Sequence, residues 1–125
     1  MVENEKKTVL VVDDSAMIRR IVVSVVEQAG YRAVEAADGY EALAAVEAGV
    51  PALLILDLIM PGMTGLATLE QLRARPQCAD LPVLMLTVED SDEVVQQAMA
   101  RDICGYLTKP IDLDELKEAI RAHAG

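Results

Sequence analysis

Short aliphatic runs with no polar interruption alternate along this chain with longer stretches in which apolar residues return every third or fourth position. Val9–Leu10–Val11–Val12 is the first run and Ala52–Leu53–Leu54–Ile55–Leu56 is the most apolar. Runs this short and this apolar fit strands covered on both faces, as in the middle of a parallel sheet. After Ser15, a good N-cap type, Met17, Ile18, Ile21, Val22, Val25 and Val26 follow a helical period until Gly30 ends it. Tyr31 to Ala36 predicts a second strand, Asp38–Gly39 a turn, and Tyr40 to Ala48 an Ala-rich helix closed by Gly49 and Pro51. Gly65 to Ala74 predicts a third helix with Leu66, Leu69 and Leu72 on one face. Pro82 to Leu86, ending on Thr87, is a fourth strand, and Ser91 to Arg101 a helix capped by Ser91 or Asp90. Ile103 to Thr108 is a fifth strand, and Asp112 caps a last helix from Leu113 to Ala122.

Strands that alternate with helices in this way imply right-handed βαβ crossovers, hence an α/β, doubly wound parallel sheet with helices on both faces. The chain has 125 residues, enough for one ordinary core. Met1 to Lys7 is polar and reads as a frayed tail, leaving 8–125 as the domain. With no Phe and no Trp, that core must be aliphatic, with Ala and Met. No apolar run approaches the ~20 residues of a membrane helix and no signal-peptide pattern opens the chain, so a soluble cytoplasmic protein is expected. A formal net charge of −10 with scattered Lys and Arg argues against nucleic acid as a direct partner. Cys78 and Cys104 lack metal spacing and read as reduced structural thiols.

The chemistry is concentrated where the strands end. The first strand delivers Asp13 and Asp14, the third Asp57, the fourth Thr87 and the fifth Lys109, whereas the second ends on Ala36 and Ala37. In a doubly wound sheet of order 2-1-3-4-5, the first, third, fourth and fifth strands lie side by side, and ligands bind outside their carboxyl ends. Three clustered carboxylates repel one another unless they bind something, and hard oxygen ligands suit Mg2+. A lysine and a hydroxyl opposite them suit phosphate oxygens. Taken singly, these residues are caps, strand ends and a solvated charge. Together they read as a magnesium-assisted phosphoryl site.

Four segments carry a resemblance to a known family: VVDDS (Val11 to Ser15), DLIMPGMTG (Asp57 to Gly65), LT (Leu86–Thr87) and GYLTKP (Gly105 to Pro110). In this order and spacing the chain resembles the receiver domain of two-component response regulators, with the flavodoxin-like (βα)5 fold called CheY-like. The resemblance implies that Asp57 accepts a phosphoryl group from a histidine kinase or a histidine phosphotransfer protein. It implies Mg2+ held by Asp14, Asp57 and the backbone carbonyl of Ile59, with Asp13 acting mainly through water. It implies that Thr87 and Tyr106 are the switch pair, that Lys109 pairs with the phosphoryl group, and that the Lys109–Pro110 bond is cis.

A stand-alone receiver is expected from this, a monomer or a weak phosphorylation-dependent dimer. Its protein target would dock on the face formed by the fourth helix, fifth strand and fifth helix, in chemotaxis-type signalling or a phosphorelay. It would catalyse only its own phosphoryl acceptance and loss. Two positions depart from the family pattern: Thr64 replaces a frequent Asp or Asn, and Val88 follows Thr87 where a small residue is common. Ile59, two residues beyond Asp57, offers no hydrogen bond to an attacking water, while Glu89, two beyond Thr87, could help place one; slow self-dephosphorylation is expected. A phosphatase with an aspartyl nucleophile would need a general acid where Ile59 stands. A flavodoxin-like carrier would need a phosphate-binding loop where Asp13 and Asp14 would repel the ligand. His123, near the C-terminus, reads as no phosphate carrier.

Overall fold

In the computed structural model the described residues are 6–58, 60, 62–88 and 92–125, without the side chains of residues 87, 92, 94 and 95. They form β1 (Thr8–Val12), α1 (Ala16–Gln28), β2 (Arg32–Ala36), α2 (Gly39–Ala48), β3 (Leu53–Leu56), α3 (Gly65–Arg73), β4 (Val83–Thr87), α4 (Asp92–Met99), β5 (Gly105–Thr108) and α5 (Leu113–Ala124), with a short 3-10 turn at Pro76–Cys78. All strand pairings are parallel, in the order β2-β1-β3-β4-β5, as the alternation of elements predicts. Among the described residues, no helix is long and apolar enough to cross a membrane.

The unbroken apolar runs are unbroken because both faces of the strands are covered. Every residue of β3 is buried, and alternate residues serve two cores. Leu10, Val12, Leu54, Leu56 and Met85 point towards Ala42 and Val46 of α2, Leu69 and Leu72 of α3, and Ala98 of α4. Val9, Val11, Leu53, Ile55 and Leu84 point towards Val22, Val25 and Val26 of α1 and Leu116 and Ile120 of α5. The outer strands β2 and β5 show mixed exposure, as edges do. Burial of this aliphatic surface is the main favourable term in the fold. Cys78 lies fully buried in the first core, while the Cys104 thiol bonds the Val83 carbonyl at 3.3 Å. Burial raises the pKa of both, which keeps them protonated and structural.

Several boundaries differ from the sequence expectation, each for a local reason. Tyr31 belongs to the end of α1: Gly30 adopts φ +99°, and the Tyr31 N–H closes back on the Val26 carbonyl at 3.2 Å. β5 begins at Gly105 because Arg101 and Asp102 form a turn, with Asp102 at φ +61°. α4 is accordingly shorter than Ser91 to Arg101, and its expected caps, Asp90 and Ser91, lie outside the described residues. α5 runs on to Ala124, whose side chain is buried. Of the expected N-terminal tail, residues 1–5 lie outside the described residues. Lys7 is already part of the fold, since its carbonyl accepts from the Arg32 N–H at 2.9 Å.

The loop after β3 is held by a close backbone approach. A Cβ added at Gly65 would lie 2.2 Å from the Asp57 carbonyl oxygen and 2.6 Å from Leu58 Cα, both main-chain atoms that cannot step aside. Gly49 is the opposite case, with extended backbone (φ 176°) and nothing within 4 Å of an added Cβ. Gly65→Ala is therefore expected to cost about 2–3 kcal/mol through forced backbone displacement. Gly49→Ala is expected to be neutral or to stabilise by about 0.5 kcal/mol, through the unfolded chain. Urea unfolding of the two variants checks this, and equal losses would contradict it.

Candidate functional site

Parallel strands with aliphatic interiors have to end somewhere, and the polar residues stand at that end. β1 finishes at Val12, and the Asp13 N–H still reaches the Ala36 carbonyl at 3.2 Å. β3 finishes at Leu56, and the Asp57 N–H reaches the Val12 carbonyl at 3.0 Å. The ladder hydrogen bonds thus run one residue past each strand and fix the backbone of both aspartates. Between β1 and α1, Asp13 Oδ1 accepts from the Ser15 N–H at 2.9 Å, and Ser15 Oγ caps the helix by accepting from the Ile18 N–H at 3.2 Å. The capping role thus falls to Ser15.

Three carboxylates meet at this edge. One oxygen from each of Asp13, Asp14 and Asp57 lies within 4.8 Å of the others. Asp13 and Asp57 are buried at 2 % and 5 % exposure, and Asp14 faces solvent. Lys109, just past β5, reaches across the sheet edge. Its Nζ donates to Asp13 Oδ2 at 2.8 Å and to Asp57 Oδ2 at 3.3 Å. The sequence placed this lysine across the site from the carboxylates; the structure puts its ammonium between two of them. The Lys109–Pro110 bond is cis, as the resemblance implies.

Burial alone would push the Lys109 ammonium towards neutrality. The hydrogen bond to Asp13 and the charges of Asp57 and Asp13 more than offset this and hold its pKa above the ordinary lysine value. On the lysine side the contribution is therefore complete below about 10.4, the ordinary value kept in the unfolded chain, and is lost as pH rises through the higher folded value.

The donor set fits a hard divalent cation. Among the described residues it brings together three carboxylates, and it is open to water on the Asp14 side, which suits an ion that keeps part of its hydration shell. Asp14 makes no hydrogen bond or ion pair among the described residues, so its carboxylate is available. Ile59, Glu89 and the Thr87 side chain lie outside the described residues; the Thr87 backbone ends β4, in register with Thr108 of β5. Val88 is exposed. Tyr106 on β5 is 42 % exposed, with Met99 of α4 also exposed. Thr64, the departure from the family pattern, caps α3 by accepting from the Ala67 N–H at 3.1 Å, so the substitution retains a cap. His123 stands in the last turn of α5.

The sequence reading missed Arg19 and Arg73. Arg19 Nη1 donates to the Asp13 carbonyl at 2.6 Å and its Nε to Glu35 at 3.1 Å. Its position four residues after the Ser15 cap was the available signal, because helical side chains lean back towards the N-terminus. Arg73 of α3 donates to the carbonyls of Arg101, Cys78 and Asp102, fastening the turn after α4.

Comparison with known proteins adds a second line. A family model described as "Response regulator receiver domain" matches residues 9–121. The chemotaxis protein CheY-3 of Vibrio cholerae is 36 % identical over 118 residues, which cover 94 % of this chain and 91 % of that protein. The phosphate regulon transcriptional regulatory protein PhoB of Pseudomonas aeruginosa is 33 % identical over 116 residues, 93 % of this chain and 51 % of that protein. The chain thus spans about half the length of the first curated relatives it matches. A crystal structure of V. cholerae chemotaxis protein CheY4 superposes with a TM-score of 0.89 at 37 % identity, covering 95 % of this chain and 99 % of that one.

Removing Lys109 leaves Asp13 and Asp57 buried beside each other with no cation between them. Lys109→Met is expected to cost about 3 kcal/mol of stability in EDTA. A double-mutant cycle with Asp13→Asn should show a coupling of about 1–3 kcal/mol, the single losses summing to more than the double. Additive losses in urea unfolding would contradict the pairing.

Proposed function

Because the chain belongs to the response regulator receiver family, which works in phosphorylation-dependent two-component signalling, we propose that Asp57 is its phosphate acceptor and that Asp13, Asp14, Lys109 and Thr87 serve the transfer. The single observation that carries this reading is the Lys109 ammonium held between Asp13 and Asp57, with Asp14 closing the carboxylate group. The donor is a phosphohistidine on a histidine kinase or a histidine phosphotransfer protein. An Asp57 carboxylate oxygen attacks phosphorus in line. The O–P bond forms as the N–P bond breaks, and the electron pair of that bond returns to the imidazole nitrogen.

Positioning and charge neutralisation supply most of the rate in such a transfer. Lys109 sets a full positive charge beside the acceptor carboxylate without needing to move into the site. Asp57 is nearly closed to solvent, which limits water as a competing nucleophile. Asp13, Asp14 and Asp57, with the Ile59 carbonyl, would hold Mg2+, whose charge would offset that of the phosphoryl oxygens. The Thr87 hydroxyl is assigned to a phosphoryl oxygen, and Tyr106 to a ring position that follows it. Phosphorylation then biases two packings of the β4–α4–β5 region, a shift of populations.

The partner surface is assigned to α4, β5 and α5, where Met99 and Tyr106 are exposed. Relatives that match over nine tenths of their own length are named as chemotaxis proteins, which favours a chemotaxis-type protein target in the cytoplasm. Incubation with Mg2+ and acetyl phosphate should add one phosphoryl group by intact mass, and Asp57→Asn should abolish it. Equal labelling of that variant would remove Asp57 from its role.

A further inference from the structure

Asp14 is the one site carboxylate with no partner of its own among the described residues, so its direction is inherited from its backbone. That backbone is pinned on both sides. The Asp13 N–H donates to Ala36 in β2, and the Ser15 N–H donates to Asp13 Oδ1. The third restraint is Arg19. Its Nη1 donates to the Asp13 carbonyl at 2.6 Å, and that carbonyl belongs to the planar Asp13–Asp14 peptide unit. Holding this oxygen fixes the plane from which Asp14 departs. Arg19 is itself held, because Nε donates to Glu35 Oε1 at 3.1 Å, from a β2 residue in register with Val11. The Arg19 side chain is only 17 % exposed, whereas Glu35 is 51 % exposed.

We propose that Arg19, braced by Glu35, is a positioning residue that aims the Asp14 carboxylate at Asp57 and thereby sets the affinity of the site for a divalent cation. This rests on reading the three carboxylates as a magnesium site. The fork of a guanidinium suits the task, since one planar group satisfies a carbonyl and a carboxylate together; an ammonium is a point donor. Outer partners of metal ligands commonly control affinity in this way.

The sign of the effect separates positioning from plain electrostatics. Arg19 is a cation beside a cation site, so losing its charge alone would tighten Mg2+ binding. Losing its positioning role weakens it. The test is an Mg2+ titration of the folded protein followed by amide NMR shifts, for wild type, Arg19→Met, Arg19→Lys and Glu35→Ala, with urea midpoints in EDTA alongside. Arg19→Met is expected to bind Mg2+ about ten-fold more weakly. Arg19→Lys should fall between it and wild type, and Glu35→Ala should show a smaller loss in the same direction at an unchanged midpoint. Should Arg19→Met fail to fold, the lysine variant decides the matter, because it keeps the positive charge and any weakening then reports lost positioning; Glu35→Ala, which itself removes a negative charge, does not. Unchanged or tighter binding in the variants, with wild type binding normally, overturns the role of Arg19 and leaves the magnesium site standing. A wild type that binds no Mg2+ overturns both.

Discussion

One ammonium between two buried carboxylates organises this molecule's functional edge. Lys109 bridges Asp13 and Asp57, and so links the end of β5 to the ends of β1 and β3 through charge. At an effective dielectric of about 20, two like charges some ~5 Å apart repel by roughly 3 kcal/mol before relaxation. The ammonium reverses the sign of the nearest interactions, which lets two aspartates stay buried side by side. It does not neutralise the cluster. Asp14 adds a third carboxylate on the solvent side, so a net negative charge remains for a cation to meet.

Everything else in the fold serves to hold those side chains at one height. The two aliphatic cores fix the register of the central strands, and register decides which residue is the first beyond the sheet. The ladder continues into the Asp13 and Asp57 amides, so the acidic residues hang from sheet hydrogen bonds and not from a free loop. The chain turning away after Asp57 passes so close at Gly65 that only a residue without a side chain fits. The site is thus built on rigid elements, which is what precise placement of a transferring group demands.

Much of this was legible in the sequence, and the exceptions share a cause. Aliphatic runs announced β1, β3 and β4, because two-sided burial leaves no polar position, and the residues that closed those runs announced the site. Ile103 misled because an apolar residue straight after a left-handed turn at Asp102 looks like a strand start, whereas the β4 register begins at Gly105. Tyr31 misled because its amide is used to end a helix. The Arg19–Glu35 brace could not be read at all as a pair, since it depends on β2 lying beside β1 with Glu35 at the level of Val11. Lys109 was found as a site residue, but its seat between Asp13 and Asp57 is a fact of tertiary geometry that spacing does not encode.

If Asp13, Asp14 and Asp57 form one cation-binding unit that Lys109 only partly neutralises, magnesium must stabilise the folded chain. The most direct measurement is urea unfolding of wild type and Asp14→Asn in EDTA and across a magnesium series at constant ionic strength. The unfolded chain holds no such site, so wild type should gain stability as RT ln(1 + [Mg2+]/Kd), about 2.7 kcal/mol at a hundred-fold excess over Kd. Asp14→Asn should start higher in EDTA, having lost a repelling charge, and should respond far more weakly to magnesium. A wild type indifferent to magnesium, or an Asp14→Asn variant that matches its response, would mean that the three carboxylates do not share a cation site.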